Sequence, residues 1–314
     1  MSFYLGIDTS NYTTSCAVYG SEDNSAVQAV QKKKLLPVKP GELGLRQSDA
    51  VFHHTVQLPE LMEELMADFG GDIEAVGVSD APRRQKGSYM PCFLAGVNAA
   101  RSLCAVTGKK LYRFSHQQGH IAAAIYSADK AELLSVPFLA FHVSGGTTDA
   151  LLVKPDKNDV ISAELVASSL DLKAGQAVDR VGVMLGYPFP AGKYVDALAA
   201  KSEKRYKINI KLKGGSCCLS GVENKCRDML KNGEKEEDIC RYCIDYIMAA
   251  LSEMAEYQLA SLGELPIIFS GGVMSSKVIS GELTKRFGAY FAKPEFSCDN
   301  ALGTAYLAYI KDNG

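Results

Sequence analysis

The chain has 314 residues, 47% of them hydrophobic, and its 34 basic and 36 acidic side chains leave a net charge of −2. That length exceeds what one core comfortably fills, so two lobes are expected, and the even balance of charge excludes a broad electrostatic footprint for nucleic acid, though not a local one. Nine scattered cysteines exclude a disulfide framework, Met1-Ser2-Phe3-Tyr4 does not open a signal peptide, and no stretch approaches the roughly 18 apolar residues of a membrane span, so the cytosol is the expected home.

The first predicted element is the β-run Phe3-Tyr4-Leu5-Gly6-Ile7, ending in Asp8-Thr9-Ser10-Asn11; a second run over 15–19 completes a hairpin around that polar turn. Helical spacing covers 58–69, with His53-His54 ahead of it. A buried strand follows at 73–78, a helix rich in small residues at 93–106, and a strand at 111–114. Ser115 then caps a helix beginning at His116. A second hairpin has its strands at 138–144 and 150–153, with Gly145-Gly146-Thr147-Thr148 between them. Its repetition of the opening device predicts duplicated α/β lobes. Helices are expected at 174–185, 193–200 and 239–262, the last absorbing Cys240 and Cys243 into an amphipathic pattern. A strand at 265–270 runs into Gly271-Gly272 and a helix from Ser275. The strand-like Tyr290-Phe291-Ala292 precedes Cys298-Asp299 and a helical tail. The lobes are placed at 1–130 and 131–299, with a terminal helix over 300–314 packed back on the first.

Three of these turns suit a phosphate: Asp8-Thr9-Ser10, Ser144-Gly145-Gly146-Thr147, and Gly271-Gly272 ahead of a helix. None matches the P-loop or the dinucleotide fingerprint. In His116-Gln117-Gln118-Gly119-His120, four residues advance a helix by roughly 400°, so both imidazoles leave one face about 40° apart. That suits two nitrogen ligands on one metal, a solvated pair being the plain alternative. Zinc-peptidase chemistry is excluded, because it needs a Glu directly after the first His and Gln117 is an amide. Asp299 is the candidate third ligand, with a helix N-cap as its other role. By pattern alone His53, His54 and His142 read as structural or surface residues. The densest basic stretch, Lys201, Lys204, Arg205, Lys207, Lys211 and Lys213, reads as a solvated hairpin or as a phosphate-contacting edge, which salt dependence would separate.

Together the segments resemble the TsaD/Gcp family, formerly called O-sialoglycoprotein endopeptidases. Leu5-Gly6-Ile7-Asp8-Thr9-Ser10 is similar to L-G-I-E-T-S, His116-Gln117-Gln118-Gly119-His120 to H-x-E-G-H, and Val143-Ser144-Gly145-Gly146-Thr147-Thr148 to V-S-G-G-H-T. The run from Ala174 to Arg180 resembles A-G-E-A-F-D-K, and Ser220-Gly221, Gly271-Gly272-Val273 and Cys298-Asp299-Asn300 follow in the family's order. The resemblance implies the two-lobed α/β fold of actin, hexokinase and heat-shock chaperones, with a cleft between lobes. It also implies transfer of a threonylcarbamoyl group from threonylcarbamoyl-adenylate to the adenosine beside a tRNA anticodon. His116, His120 and Asp299 would hold one divalent ion, iron or zinc. His142, Val143, Ser144, Gly145, Gly146, Asp179, Gly192 and Ser276 would line the adenylate or ATP site, with Asp179 on the ribose hydroxyls. TsaB- and TsaE-like partner proteins are implied, and no membrane.

The departures fall at Tyr12-Thr13, where the family has an acidic pair, at Gln118 for Glu, Thr147 for His and Ser276 for Asn, and in a longer, more basic loop over 80–87 carrying Arg83, Arg84 and Lys86. No side chain is assigned the catalytic step. Two other readings stand beside transfer: a catalytically degenerate paralogue that binds a partner, and an ATP-dependent kinase or hydrolase of the same fold.

Overall fold

The computed structural model describes residues 2–10, 12–22, 25–37, 45–297 and 301–314. In chain order the elements are β1 (Ser2–Ser10), β2 (Thr13–Glu22), β3 (Ser25–Leu35), α1 (Gln47–Asp68), β4 (Ile73–Ala81), α2 (Phe93–Thr107), β5 (Lys110–Ser115) and α3 (His116–Ser127). They continue with β6 (Phe138–Val143), β7 (Thr148–Asp156), β8 (Val160–Ser168), α4 (Ala174–Met184), α5 (Gly192–Ala199), α6 (Ser220–Lys231), α7 (Glu236–Leu262), β9 (Ile267–Ser270), α8 (Lys277–Phe287), β10 (Tyr290–Phe291) and α9 (Leu302–Asn313). The chain divides into two compact units, Met1–Leu134 with Lys154–Ala163 and Cys298–Gly314, and Ser135–Val153 with Glu164–Ser297. The segment Lys154–Ala163, which a break after residue 130 assigns to the second lobe, therefore counts with the first.

In the first unit the sheet order is β3-β2-β1-β4-β5. β1 runs antiparallel to β2 and parallel to β4, which runs parallel to β5. Tyr4 to Ser10 are all buried, as a strand covered on both faces requires. On one face Leu5, Ile7, Val76 and Val78 pack with Leu58, Leu61 and Leu65 of α1 and Ala100 of α2. On the other lies the start of α9. A Cβ on Gly6 would stand 2.2 Å from Ala301 O, and one on Gly77 2.5 Å from Thr304 O, so these glycines admit the helix backbone directly onto the strands. α1 begins at Gln47, eleven residues before the apolar spacing at Leu58 becomes regular, so His53 and His54 lie inside it rather than ahead of it.

The second sheet is ordered β10-β9-β6-β7-β8. Read from the β8 edge, it repeats the first: an antiparallel hairpin, β6 with β7, whose inner strand pairs in parallel with β9, and β9 with β10. Phe141, Phe269 and Phe291 stack across its three parallel strands. α7 supplies Ile239, Cys240, Cys243, Ile244, Ile247, Leu251 and Met254 to the core beneath. The Cys-x-x-Cys pair is thus packing, and burial pushes the Cys240 thiol up to about 12. The molecule is an α/β protein built from a duplicated unit. Among the described residues, no helix is long and apolar enough to cross a membrane.

Candidate functional site

In the first unit, β5 passes directly into α3 through a reciprocal cap. Gln118 N donates to Ser115 Oγ (3.3 Å) and Ser115 N to Gln118 Oε1 (2.7 Å). The cap fixes the first turn, and His116 and His120 leave the same face. Their Nε2 atoms stand 2.9 Å apart. His116 Nδ1 lies 2.7 Å from Asp8 Oδ2, and the other oxygen of that buried carboxylate, Oδ1, has no partner. Asp8 thereby orients the ring and turns its Nε2 toward His120, the arrangement in which a carboxylate backs a metal-binding imidazole.

Two ring nitrogens this close share either a proton or a cation, and two neutral nitrogen donors suit iron or zinc. The donor pair therefore fits the ion implied by the resemblance. Among the described residues no group of three or more His, Cys, Asp or Glu side chains gathers as a metal shell; Asp299 lies outside the described residues.

Asp8-Thr9-Ser10 is not a turn. Pairing of β1 with β2 continues to Ser10 opposite Thr13, so all three residues are buried strand. Thr9 Oγ1 donates to Cys92 O and accepts from Gly96 N, both at 3.1 Å, which pins the start of α2 instead of presenting a hydroxyl to an anion. Next to it, His54 Nδ1 lies 2.8 Å from Thr14 Oγ1, and burial pushes the imidazole down to about 4. The basic loop after β4 does not offer all its cations either, since Arg84 is held by Asp80 (2.6 Å) and Asp159 (3.2 Å).

The second unit holds a cavity of about 710 Å³ lined by Gly145, Gly175, Asp179, Gly192, Lys193, Tyr194, Asp196, Gly272, Ser275 and Ser276, among others. Its wall is made where the β6–β7 turn is clamped between two elements. A Cβ on Gly175 would stand 2.6 Å from Gly145 N, and one on Gly271, at φ +101°, 2.2 Å from Val143 O. Ala174 N donates to Thr148 Oγ1 (2.9 Å) and Gly175 N to Ser144 O (3.1 Å), which fixes the first turn of α4 against the hairpin. Asp179 Oδ1 accepts from Ala191 N at 2.8 Å and sets the start of α5. One turn into α5, Asp196 Oδ1 is buried without a partner. Ser276 caps α8 by accepting from Ile279 N.

Four of the residues expected to line a ligand site, Gly145, Asp179, Gly192 and Ser276, thus share one cavity. Of the remainder, His142 on β6 places Nδ1 3.1 Å from Ser270 Oγ, Val143 is fully buried in the core, Ser144 closes the hairpin by donating its N–H to Thr147 O, and Gly146 sits in that turn. None of these four is among the lining residues. The sequence reading missed Lys193, Tyr194 and Asp196. The usable signal was Gly192-x-x-x-Asp196, whose i, i+4 spacing sets the acid one turn behind the glycine on the same helix face.

Comparison with known proteins agrees with this architecture. The TsaD family model, tRNA N6-adenosine threonylcarbamoyltransferase, matches residues 37–306. A protein of that name from Methanopyrus kandleri is 27% identical, over 92% of this chain and 82% of its own. One from Bacillus licheniformis is 29% identical, over 91% and 83%. Among solved structures, a ROK family glucokinase from Streptomyces griseus, in complex with glucose and AMPPNP, superposes with a TM-score of 0.53 at 12% identity, covering 100% of both chains; the fold is of the hexokinase type. By the match over residues 37–306, the chain belongs to the TsaD family.

Proposed function

We infer that the chain carries a threonylcarbamoyl group from its adenylate to the exocyclic amine of the adenosine beside a tRNA anticodon. The adenylate is assigned to the cavity of the second unit. One divalent ion, iron or zinc, is assigned to His116 and His120, with Asp299 as third ligand. Partner proteins, TsaB- and TsaE-like ones among them, would supply the adenylate and help load it.

Family membership supports the reaction class, and the observation that supports the pocket is Asp196. A buried carboxylate oxygen without a partner costs free energy that a donor from a ligand removes, and ribose hydroxyls are such donors. Asp179, already accepting from Ala191 N through Oδ1, would present its second oxygen to the same sugar. Gly145, in the β6–β7 turn, leaves its backbone N–H for an anion, and Lys193 adds a positive charge. When bound, the ion would supply Lewis-acid polarisation of phosphate and acyl oxygens. Asp8 would hold the His116 ring in register whether or not the ion is present.

Calorimetric titration with AMP tests the pocket. Asp196→Asn, which keeps the shape and turns one acceptor into a donor, should weaken AMP by about tenfold or more, the loss of a charge-assisted hydrogen bond. Unchanged affinity sinks the assignment. His120→Ala should lose bound metal, read as stoichiometry by elemental analysis, while the circular dichroism spectrum stays that of the parent. Tyr12-Thr13, in place of the family's acidic pair, favours the rival reading of a partner-binding paralogue without activity. Transfer of labelled threonylcarbamoyl to unmodified tRNA decides between the two.

A further inference from the structure

Between α5 and α6 the chain over 202–212 forms neither helix nor sheet strand. From 205 to 213 its exposure alternates residue by residue: Arg205, Lys207, Asn209, Lys211 and Lys213 are exposed, while Tyr206, Ile208, Ile210 and Leu212 are half-buried or buried. Period-two alternation is the signature of an extended chain with one face on a core. That face packs into the second unit's core, with Ile210 inside it and Tyr206, Ile208 and Leu212 against it.

The ribbon is fastened at both ends. Tyr206 N donates to Asp245 Oδ2 (2.9 Å), whose other oxygen accepts from buried Arg241 (2.8 Å). At the far end Lys213 and Ser216 exchange backbone hydrogen bonds around Gly214 and Gly215, at φ +56° and +81°. The cations along it are not equivalent. Lys204 is occupied by Asp238 (2.8 Å) and Glu234 (3.5 Å), and Arg205 donates to the Ser202 and Lys204 carbonyls. Lys207, Lys211 and Lys213 make no ion pair among the described residues.

We propose that this ribbon is the ledge on which the RNA substrate lays its phosphate backbone, with Lys207, Lys211 and Lys213 as the contacts; the proposal rests on the transfer reading above. In a chain of net charge −2, a row of cations along one face of an anchored, extended segment matches a linear polyanion. The six residue steps from Lys207 to Lys213 span about 20 Å of extended chain, and one strand of a duplex carries a phosphate every ~3.4 Å of axis. The row therefore runs past several successive phosphates. A membrane surface fits less well, because no outward position from 205 to 213 is apolar or aromatic.

The test is fluorescence titration of the full chain with an unmodified tRNA transcript over a series of salt concentrations. K207Q/K211Q/K213Q should bind tRNA at least about tenfold more weakly at low salt. Its log–log salt slope should fall by about 2 to 3, one phosphate contact per lysine, with AMP affinity unchanged. K207R/K211R/K213R should bind tRNA as the parent does. Equal affinity and slope in the glutamine variant overturn the ledge, as does a loss seen on phosphatidylserine vesicles but not on tRNA. Transfer assayed in parallel keeps the two claims apart. If tRNA binding depends on the lysines but nothing is transferred, the ledge stands and the reaction falls; if transfer proceeds while the variant keeps its affinity, the reverse holds.

Discussion

Gln118 uses both ends of its amide. Oε1 accepts from Ser115 N, and Nε2 donates to Ile161 O at 2.6 Å from a nearly fully buried position. A carboxylate, the group at this place in H-x-E-G-H, has no proton for Ile161, so the departure from the family pattern has a structural cause on this chain. His54 is a second buried polar group with a measurable consequence. Its imidazole falls to about 4 in the folded protein, against about 6.5 when unfolded. Between those values the unfolded chain binds the extra proton, so stability rises with pH there. The contribution is complete above about 6.5, and up to about 3 kcal/mol is lost as pH falls to 4. Urea unfolding of His54→Gln across pH 4.5 to 7 should show a flatter dependence than the parent; equal slopes would mean that His54 titrates normally. The i, i+4 histidines could be read from the sequence because a helix converts spacing into a shared face. Lys193 could not, and the Gly192–Asp196 spacing shows a shared helix face without marking that this face of α5 borders a cavity.

Gly303 of α9 meets Gly119 of α3 so closely that a Cβ on it would lie 1.8 Å from Gly119 O. Gly303→Ala should therefore cost about 3 kcal/mol or more through overpacking, seen as a fall in thermal midpoint; a shift under about 2 °C would show that the two helices can part freely. The elements that sequence reading found, such as α2, α3, β6 and α7, carry long periodic runs or a cap. Those it missed carry neither. β3 is an edge strand loaded with Lys32, Lys33 and Lys34, which protect an edge but hide a strand. α6 turns only Val222, Cys226 and Met229 inward. The stretch over 201–213, expected as a hairpin or as a phosphate-contacting edge, has no return strand, because its apolar side is satisfied by a helical core rather than by a partner strand.

The duplication was visible in the sequence as two strand–turn–strand devices, and the two sheets repeat one order around them. Less visible was how the chain is apportioned. The first unit is assembled from three separated stretches, of which Cys298–Gly314 is the last. α9 covers the face of β1 and β4 where Gly6 and Gly77 leave room for a backbone. Synthesis runs from the amino end at roughly 5 to 20 residues per second, so the interval between Leu134 and Leu302 leaving the ribosome is on the order of 10 to 30 s. Through that interval the first sheet waits with a groove open to water while an entire second unit is made. The order of translation is thus the reverse of the order in which the first core can close.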